Sequence, residues 1–405
     1  MNILIISQYF WPENFRINDI AQGLIDRGHI VTVLTGKPNY PEGRFYSGYH
    51  FFNKSRELYN SINIIRSPII PRGKNKVQLA LNYLSFAFFA SIVGVFKCGR
   101  PDVIFVYEPS PITVALPAIF IKKIKKIPIL FWVQDLWPES VVTVGAISSR
   151  SLLKWLEWLV HFIYQRCDYI LTTSLAYFGP IKKFNVPETK LRYFPQTAED
   201  FYKPIENAIQ LPEEKLLPQG FRIIFSGNIG KAQDIETIVN AASEIKEYKK
   251  IKWIFLGDGS KRKWLEKTIK QYELSETVFW LGQYSAEAMP RFFSCANVLL
   301  VTLKSDPFCS LAIPAKIQSY LACAKPIIGA LDGEGRRVIE EAKAGMVTAS
   351  GDFKALASIA LKMYSLSADD QKQMGINGQT YFQQHFQRDV LLIKLENWMD
   401  ELREQ

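Results

Sequence analysis

Two apolar runs of the chain each end in a carboxylate and run into a proline-stiffened loop. In Phe131-Trp132-Val133-Gln134-Asp135-Leu136-Trp137-Pro138-Glu139, Asp135 closes the run and a second carboxylate follows four residues on. Val106-Tyr107-Glu108-Pro109-Ser110-Pro111 has the same form. Loops at the C-terminal ends of strands are where open α/β sheets bind ligands, and the Trp-Pro stiffening marks Asp135 as a position held for one. Each residue also has a plain structural use, Asp135 as a helix N-cap and Glu108 as a turn former.

The second half carries a different chemistry. Phe225-Ser226-Gly227-Asn228-Ile229-Gly230-Lys231 sets a glycine-bracketed turn and one lysine before a helix. Small residues there let backbone N–H groups approach an anion at a helix N-terminus. Ile313-Pro314-Ala315-Lys316-Ile317 opens another helix with a lysine in its first turn, which is locally unfavourable unless an anion sits nearby. Gly333-Glu334-Gly335 makes a third flexible loop before a helix. Together the three starts suit a diphosphate.

Other chemistries lack their motifs. No G-x-G-x-x-G follows the first strand, where Ser7-Gln8-Tyr9-Phe10-Trp11-Pro12 stands, so a dinucleotide cofactor is disfavoured. Gly227 to Lys231 is too short for a G-x-x-x-x-G-K-[ST] loop, and no D-x-D stands at a strand end. Four histidines and five scattered cysteines (98, 167, 295, 309, 323) give no metal-ligand spacing and no disulfide framework, which fits a reducing cytoplasm.

The elements that must position these loops alternate. Ile3–Ile6, Ile30–Thr35, Val103–Tyr107, Ile129–Val133 and Tyr169–Thr173 are short apolar β-branched runs, separated by helical patterns such as Ile17–Arg27 with Gly28 at its end. Arg222–Ser226, Lys252–Leu256, Val278–Leu281, Val298–Thr302, Pro326–Gly329 and Gly345–Thr348 repeat the rhythm. The pattern predicts two doubly wound α/β domains, 1–195 and 221–380, joined by a linker over 196–220. A helical segment over 381–405 is expected to pack back on the first domain. Met1 to Ile6 has no basic n-region and is expected to be the first buried strand.

Charge is unevenly shared along the 405 residues, whose formal net charge is +10. Residues 1–200 hold 23 Lys+Arg against 14 Asp+Glu; residues 201–405 hold 26 against 25. This argues against a uniform nucleic-acid coat and for a first half that meets an anionic surface or substrate. Val77 to Phe96 is free of formal charge and is bracketed by Lys74, Lys76, Lys97 and Arg100. As a helix it would measure ~30 Å, the thickness of a bilayer core. Gln78, Asn82, Ser85, Ser91 and Gly94 interrupt it, so a buried helix or one lying in the membrane interface is preferred to a span. Lys122, Lys123, Lys125 and Lys126, set among Ile and Phe over 119–127, are either a solvated helix end or a contact for anionic headgroups.

The chain resembles the bacterial retaining glycosyltransferases of family 4. The resemblance rests on residues 8–43 (QYFWPENFRINDIAQGLIDRGHIVTVLTGKPNYPEG), VQDLWPES, SGNIGKAQDIE, PAKIQSYLACAKPII and DGEGRRVIEEAKAG, and runs over essentially the whole sequence. Within the family it is nearest to N-acetyl-L-fucosamine and colanic-acid transferases of surface polysaccharide synthesis. It implies a GT-B fold: two Rossmann-like domains with a cleft between them, the acceptor on the first and a UDP-sugar on the second. It also implies transfer with retention and without a metal or other cofactor, at the inner face of the plasma membrane, to a polyprenyl-diphosphate-linked acceptor in O-antigen or capsule synthesis. Carried over by position, Asp135 sits by the reacting sugar and Glu108 orients or deprotonates the acceptor hydroxyl. Gly227, Asn228, Gly230, Lys231, Lys316, Ser319, Gly333 and Glu334 hold the donor, and Arg16, Asn39 and Tyr40 the acceptor.

The chain departs from the family pattern at several places. Glu13-Asn14-Phe15 replaces a glycine pair, Gln134 a histidine, Leu311 and Ser319 a glutamate pair, Ala324 a glycine and Asn228 an arginine. Alternatives of other classes are a non-hydrolysing UDP-N-acetylhexosamine 2-epimerase of the same architecture and a non-catalytic membrane-associated scaffold.

Overall fold

The computed structural model describes residues 1–143, 149–205 and 211–404. Two compact units divide the chain: Met1–Pro195 together with the segment from Leu391 onward, and Gln196–Val390.

The first unit has eight strands, of which the apolar runs form the buried ones: β1 (Asn2–Ile6), β2 (Ile30–Thr35), β3 (Arg56–Tyr59), β4 (Ile62–Arg66), β5 (Val103–Glu108), β6 (Ile129–Val133), β7 (Tyr169–Thr172) and β8 (Leu191–Tyr193). Their order is β3-β4-β2-β1-β5-β6-β7-β8, parallel throughout except where β3 runs antiparallel to β4. The chain turns away from β1 in both directions, so the β1/β5 boundary is the switch point beside which a ligand crevice opens. The register places Glu108, the last residue of β5, beside Val133, the last of β6, so the two carboxylate loops leave the sheet side by side.

In the second unit β9 (Phe221–Ser226), β10 (Ile251–Leu256), β11 (Val278–Trp280), β12 (Val298–Thr302), β13 (Ile327–Ala330) and β14 (Gly345–Thr348) form an all-parallel sheet in the order β11-β10-β9-β12-β13-β14. Its switch point lies between β9 and β12, and the glycine turn and the Lys316 helix both start there.

Three features differ from the sequence expectation. The β3–β4 hairpin and β8 are additional strands. β3 alternates in exposure and turns through Asn60 and Ser61, both at positive φ, so it lacks the apolar run that marks a buried strand. The described part of 196–220 is a strap packed on the second unit: Arg291 meets Glu213 at 2.6 Å, Arg222 meets Glu214 at 2.5 Å, and Leu217 is buried in its core. Residues 206–210 of that segment lie outside the described residues. The return to the first unit falls at Leu391 on the helix Arg388–Glu404, which adds Leu391, Leu392, Leu395, Met399 and Leu402 to the first core. Gly23 makes the approach close: a Cβ there would lie 2.5 Å from Leu392 Cδ1.

Candidate active site

At the C-terminal edge of the first sheet, Glu108 is wholly buried, at 0% exposure. Its Oε2 accepts the Asp135 N–H at 3.3 Å, and its carbonyl accepts the Gln134 N–H at 3.1 Å. Burial, followed by the charge of Asp135, drives the Glu108 carboxyl well above its usual range and so favours its protonated form. Asp135 lies above it, half-buried, and desolvation lifts it to about 6. The two environments differ: the carboxyl below is wholly removed from water, and the one above is half-buried. Glu108, expected to meet the acceptor hydroxyl, has no exposed surface in this structure and touches the loop that carries Asp135. Glu108 Oε1, Thr113 Oγ1 and the Tyr164 hydroxyl are buried without a hydrogen-bond partner among the described residues, and burial drives the Tyr164 hydroxyl further above its usual range.

Beside this nest is an aromatic platform. Tyr9 stacks on Phe15 with centroids 5.2 Å apart, and Tyr40 leans on both at 5.5 and 5.3 Å. Arg72 lies over Tyr40 at 5.3 Å and donates to the Tyr9 hydroxyl at 3.1 Å. Tyr40 is 38% exposed and open to a ligand, whereas Asn39 is buried and fully engaged. Asn39 accepts the Arg72 N–H at 2.9 Å and donates to the Lys37 carbonyl at 2.8 Å, so it braces the loop instead of binding an acceptor. Arg16 opens the helix Arg16–Asp26 close enough to influence Tyr107. Glu13, which stands where the family has glycine, accepts the N–H groups of Asn39 and Tyr40, each at 2.7 Å. Burial pushes its carboxyl up to about 7.

The second unit's site is built around Lys316. Its Nζ donates to Gln233 Oε1 at 2.6 Å and lies 3.9 Å from the Phe225 ring centroid, with no carboxylate paired to it among the described residues. Burial lowers its pKa to about 7. Gly227, at φ +129°, leaves room above the ammonium: a Cβ there would lie 3.4 Å from Nζ. An unpaired cation under a glycine-lined opening is a site prepared for an anion. The turn contributes less backbone than expected, because the Gly227 and Ile229 N–H groups already donate to Leu256 and Asp258 carbonyls at 2.9 and 2.8 Å. That engagement comes from tight loop packing, since a Cβ on Gly257 would lie 1.9 Å from the Gly227 oxygen. Asn228 and Lys231 are exposed on the same turn, while Gly230 is buried against the Asn228 amide.

The remaining donor candidates are structural in this state. The Ser319 hydroxyl is buried and turns back to the Ala315 carbonyl at 3.4 Å. Glu334 is buried and held by both arms of Arg337 at 2.9 Å. Gly333, at φ +67°, lets its loop touch residue 310, where a Cβ would lie 1.9 Å from the Ser310 oxygen. Gln233, Tyr9, Arg72 and Glu13 escaped the sequence reading. Only Glu13 carried a signal, as a charged residue in a glycine position.

Two family models divide the chain between them: Glycosyltransferase Family 4 matches residues 15–197, and Glycosyl transferases group 1 matches residues 208–381. The chain belongs to the glycosyltransferases. WbjE of Pseudomonas aeruginosa, named as a glycosyltransferase, is 28% identical over 275 residues, 65% of this chain and 65% of that protein. WcaI of Escherichia coli K12, named as a colanic acid biosynthesis glycosyl transferase, is 22% identical over 80% of this chain and 81% of its own. HepE of Anabaena, solved with UDP, superposes with a TM-score of 0.73 at 14% identity, covering 99% of this chain and 100% of that one. The fold of this glycosyltransferase is GT-B, with two parallel-sheet Rossmann-like domains. Among the described residues no group of three or more His, Cys, Asp or Glu converges on a point that could hold a metal ion.

Proposed function

We propose that the protein is a retaining glycosyltransferase that moves N-acetyl-L-fucosamine from a UDP-sugar to an undecaprenyl-diphosphate-linked sugar, for O-antigen or capsule synthesis, at the inner face of the plasma membrane. The observation that carries the donor assignment is Lys316, a half-buried ammonium with no paired carboxylate among the described residues, beneath the opening left by Gly227. The UDP bound to HepE supports a nucleoside diphosphate as the anion. Lys316, with Lys231 exposed on the neighbouring turn, stabilises charge on the departing diphosphate, which is where a preorganised cation accelerates the reaction most. No metal takes part in this reading. Asp135, ionised above about pH 6, faces positive charge developing at the sugar carbon, while Glu108 fixes its backbone. Arg16 and the open ring of Tyr40 receive the acceptor.

The test combines a panel of UDP-sugars with a short-chain polyprenyl-diphosphate-linked acceptor, read by mass spectrometry of the lipid-linked product. A glycosylated lipid formed in EDTA, with UDP released only when acceptor is present, is expected. Conversion of the UDP-sugar without acceptor would identify an epimerase, and absence of UDP binding would leave a scaffold.

A further inference from the structure

The helix Lys76–Lys97 is long and apolar enough to cross a bilayer, yet it is built into the first unit with its polarity inverted. Beyond the exposed Gln78 of its first turn, its uncharged polar residues are buried or half-buried. Asn82, wholly buried, donates to the Ile70 carbonyl and accepts from Gln8 Nε2, both at 2.6 Å, and Ser85 accepts the Ile70 N–H at 3.0 Å. Tyr83 hydrogen-bonds Ser110, in the loop that follows Glu108. Gly94 seats the helix on its neighbour, for a Cβ would lie 2.5 Å from Ile121 Cδ1.

Its outward stripe, spaced three and four residues apart, is Val77, Leu81, Leu84, Phe88, Ile92 and Phe96. Phe88 is 62% exposed and Phe96 81%. Phe51 extends the stripe through a ring contact with Phe89, which itself meets Phe88, and Phe52, packed on Phe51, is 87% exposed. A surface helix of a water-soluble protein puts its polar face outward; between Leu81 and Phe96 this one does the reverse.

We infer that this helix lies in the plane of an anionic lipid bilayer, with the stripe immersed and its inner face bracing the acceptor loops. The inference rests on the proposed lipid-linked acceptor and names the surface that receives it. Three observations favour a membrane over a protein partner or a span. The stripe is framed by Lys74, Lys76, Lys97 and Arg100, and no Asp or Glu occurs between residues 67 and 101. A span would break the Asn82 and Ser85 hydrogen bonds and move strands of one sheet to opposite sides of the bilayer. The neighbouring helix Leu116–Lys125, also without an acidic residue, exposes Phe120 and Ile124, as amphipathic interfacial segments do.

The lysines foreseen as headgroup contacts separate into two sets. Lys122 is paired with Asp168 at 2.5 Å and Lys125 is bound to the Gly99 carbonyl, whereas Lys74, Lys76, Lys123 and Lys126 are exposed.

The test is sedimentation of the full chain with vesicles of phosphatidylethanolamine and phosphatidylglycerol, beside a Leu84→Glu/Phe88→Glu variant. Both altered residues are exposed, so the variant should keep the circular dichroism and thermal transition of the parent. The parent is expected to sediment and to be released by alkaline carbonate, with partitioning at least 30-fold weaker in the variant. Lys74→Glu/Lys76→Glu should weaken binding about tenfold, and only when phosphatidylglycerol is present. Equal sedimentation of the Leu84→Glu/Phe88→Glu variant, or resistance of the parent to carbonate, would overturn the inference. So would a lipid-free dimer of the parent that this variant dissociates, because the face would then belong to a second copy. Transfer to a short-chain soluble acceptor separates the two readings. Vesicle binding without any transfer by the parent would overturn the proposed function and support the docking surface.

Discussion

The two halves of the molecule invert their own net charge at their sites. The first half, rich in Lys and Arg, gathers Glu13, Glu108 and Asp135 at its sheet edge and suppresses their ionisation by burial. The second half, close to neutral, centres on one half-buried lysine whose proton is loosened by desolvation. Net charge therefore describes the surfaces of this protein, and the first half's excess sits on helices that carry lysines at their ends. Site chemistry is set by the few charges removed from water, where the cost of ionisation is large enough to be altered by a ligand of opposite charge.

The sharpest way to break this comparison is Asp135→Asn. If the ionised carboxylate is what the first half supplies, the variant loses ~10³-fold or more in kcat while its circular dichroism is unchanged. The parent's kcat should fall on acidification through about pH 6, as Asp135 takes up a proton, and the residual activity of the variant should lack that limb. Turnover near the parent's would remove Asp135 from the reaction.

Lys316→Met tests the other half in the opposite sense, by losing function and gaining stability. Removing a charge-assisted contact should weaken UDP binding roughly 10- to 100-fold, read by calorimetric titration. Burial holds the native lysine at about 7 against 10.5 when exposed. Between those values the unfolded chain carries a proton that the native chain lacks, so stability rises with pH through the window and the penalty is complete below it. The variant should therefore exceed the parent in stability by ~2–4 kcal/mol near pH 6, with the gap closing toward pH 10. A variant that binds UDP normally would show that the cation is structural.

Gln233→Glu asks whether that cation must be unpaired. Gln233 Oε1 already lies 2.6 Å from Lys316 Nζ, so a carboxylate there would neutralise the lysine in place. UDP affinity should fall about tenfold with little change in Tm, because a half-exposed ion pair adds ~0–1 kcal/mol. Unchanged affinity would place the diphosphate elsewhere.

What the sequence disclosed follows the same division. The central strands of both sheets are largely apolar runs, and such runs are what burial on both faces demands. β3 and β8 are half-exposed or only three residues long, so they left no such signature. Asp135 and Lys316 were visible because each breaks a local rule, a carboxylate ending a buried strand and a lysine in the first turn of a helix. Ser319, which departs from the family's glutamate, and Glu334 were carried over by position, but their side chains are engaged by the Ala315 carbonyl and by Arg337, which a position in the chain does not disclose. Gln233, 83 residues before Lys316, had no local mark at all.

The smallest expected effect bears on the pair in the first half. If Glu108 is neutral beneath Asp135, Glu108→Gln preserves both charge and shape, and the amide oxygen can still accept the Asp135 N–H. The variant should keep kcat within about threefold and leave the acidic limb near 6, since no negative neighbour has been removed from Asp135. Were Glu108 ionised, the same change would delete a like charge in a dry environment and move that limb to lower pH. Glu108→Ala should cost ~1–3 kcal/mol of stability by leaving the Asp135 N–H without its acceptor, and it should lower kcat by loosening the loop. A small effect of Gln and a large one of Ala, with an unmoved pH limb, would establish Glu108 as a positioning residue. Equal and complete losses would return it to the chemistry itself.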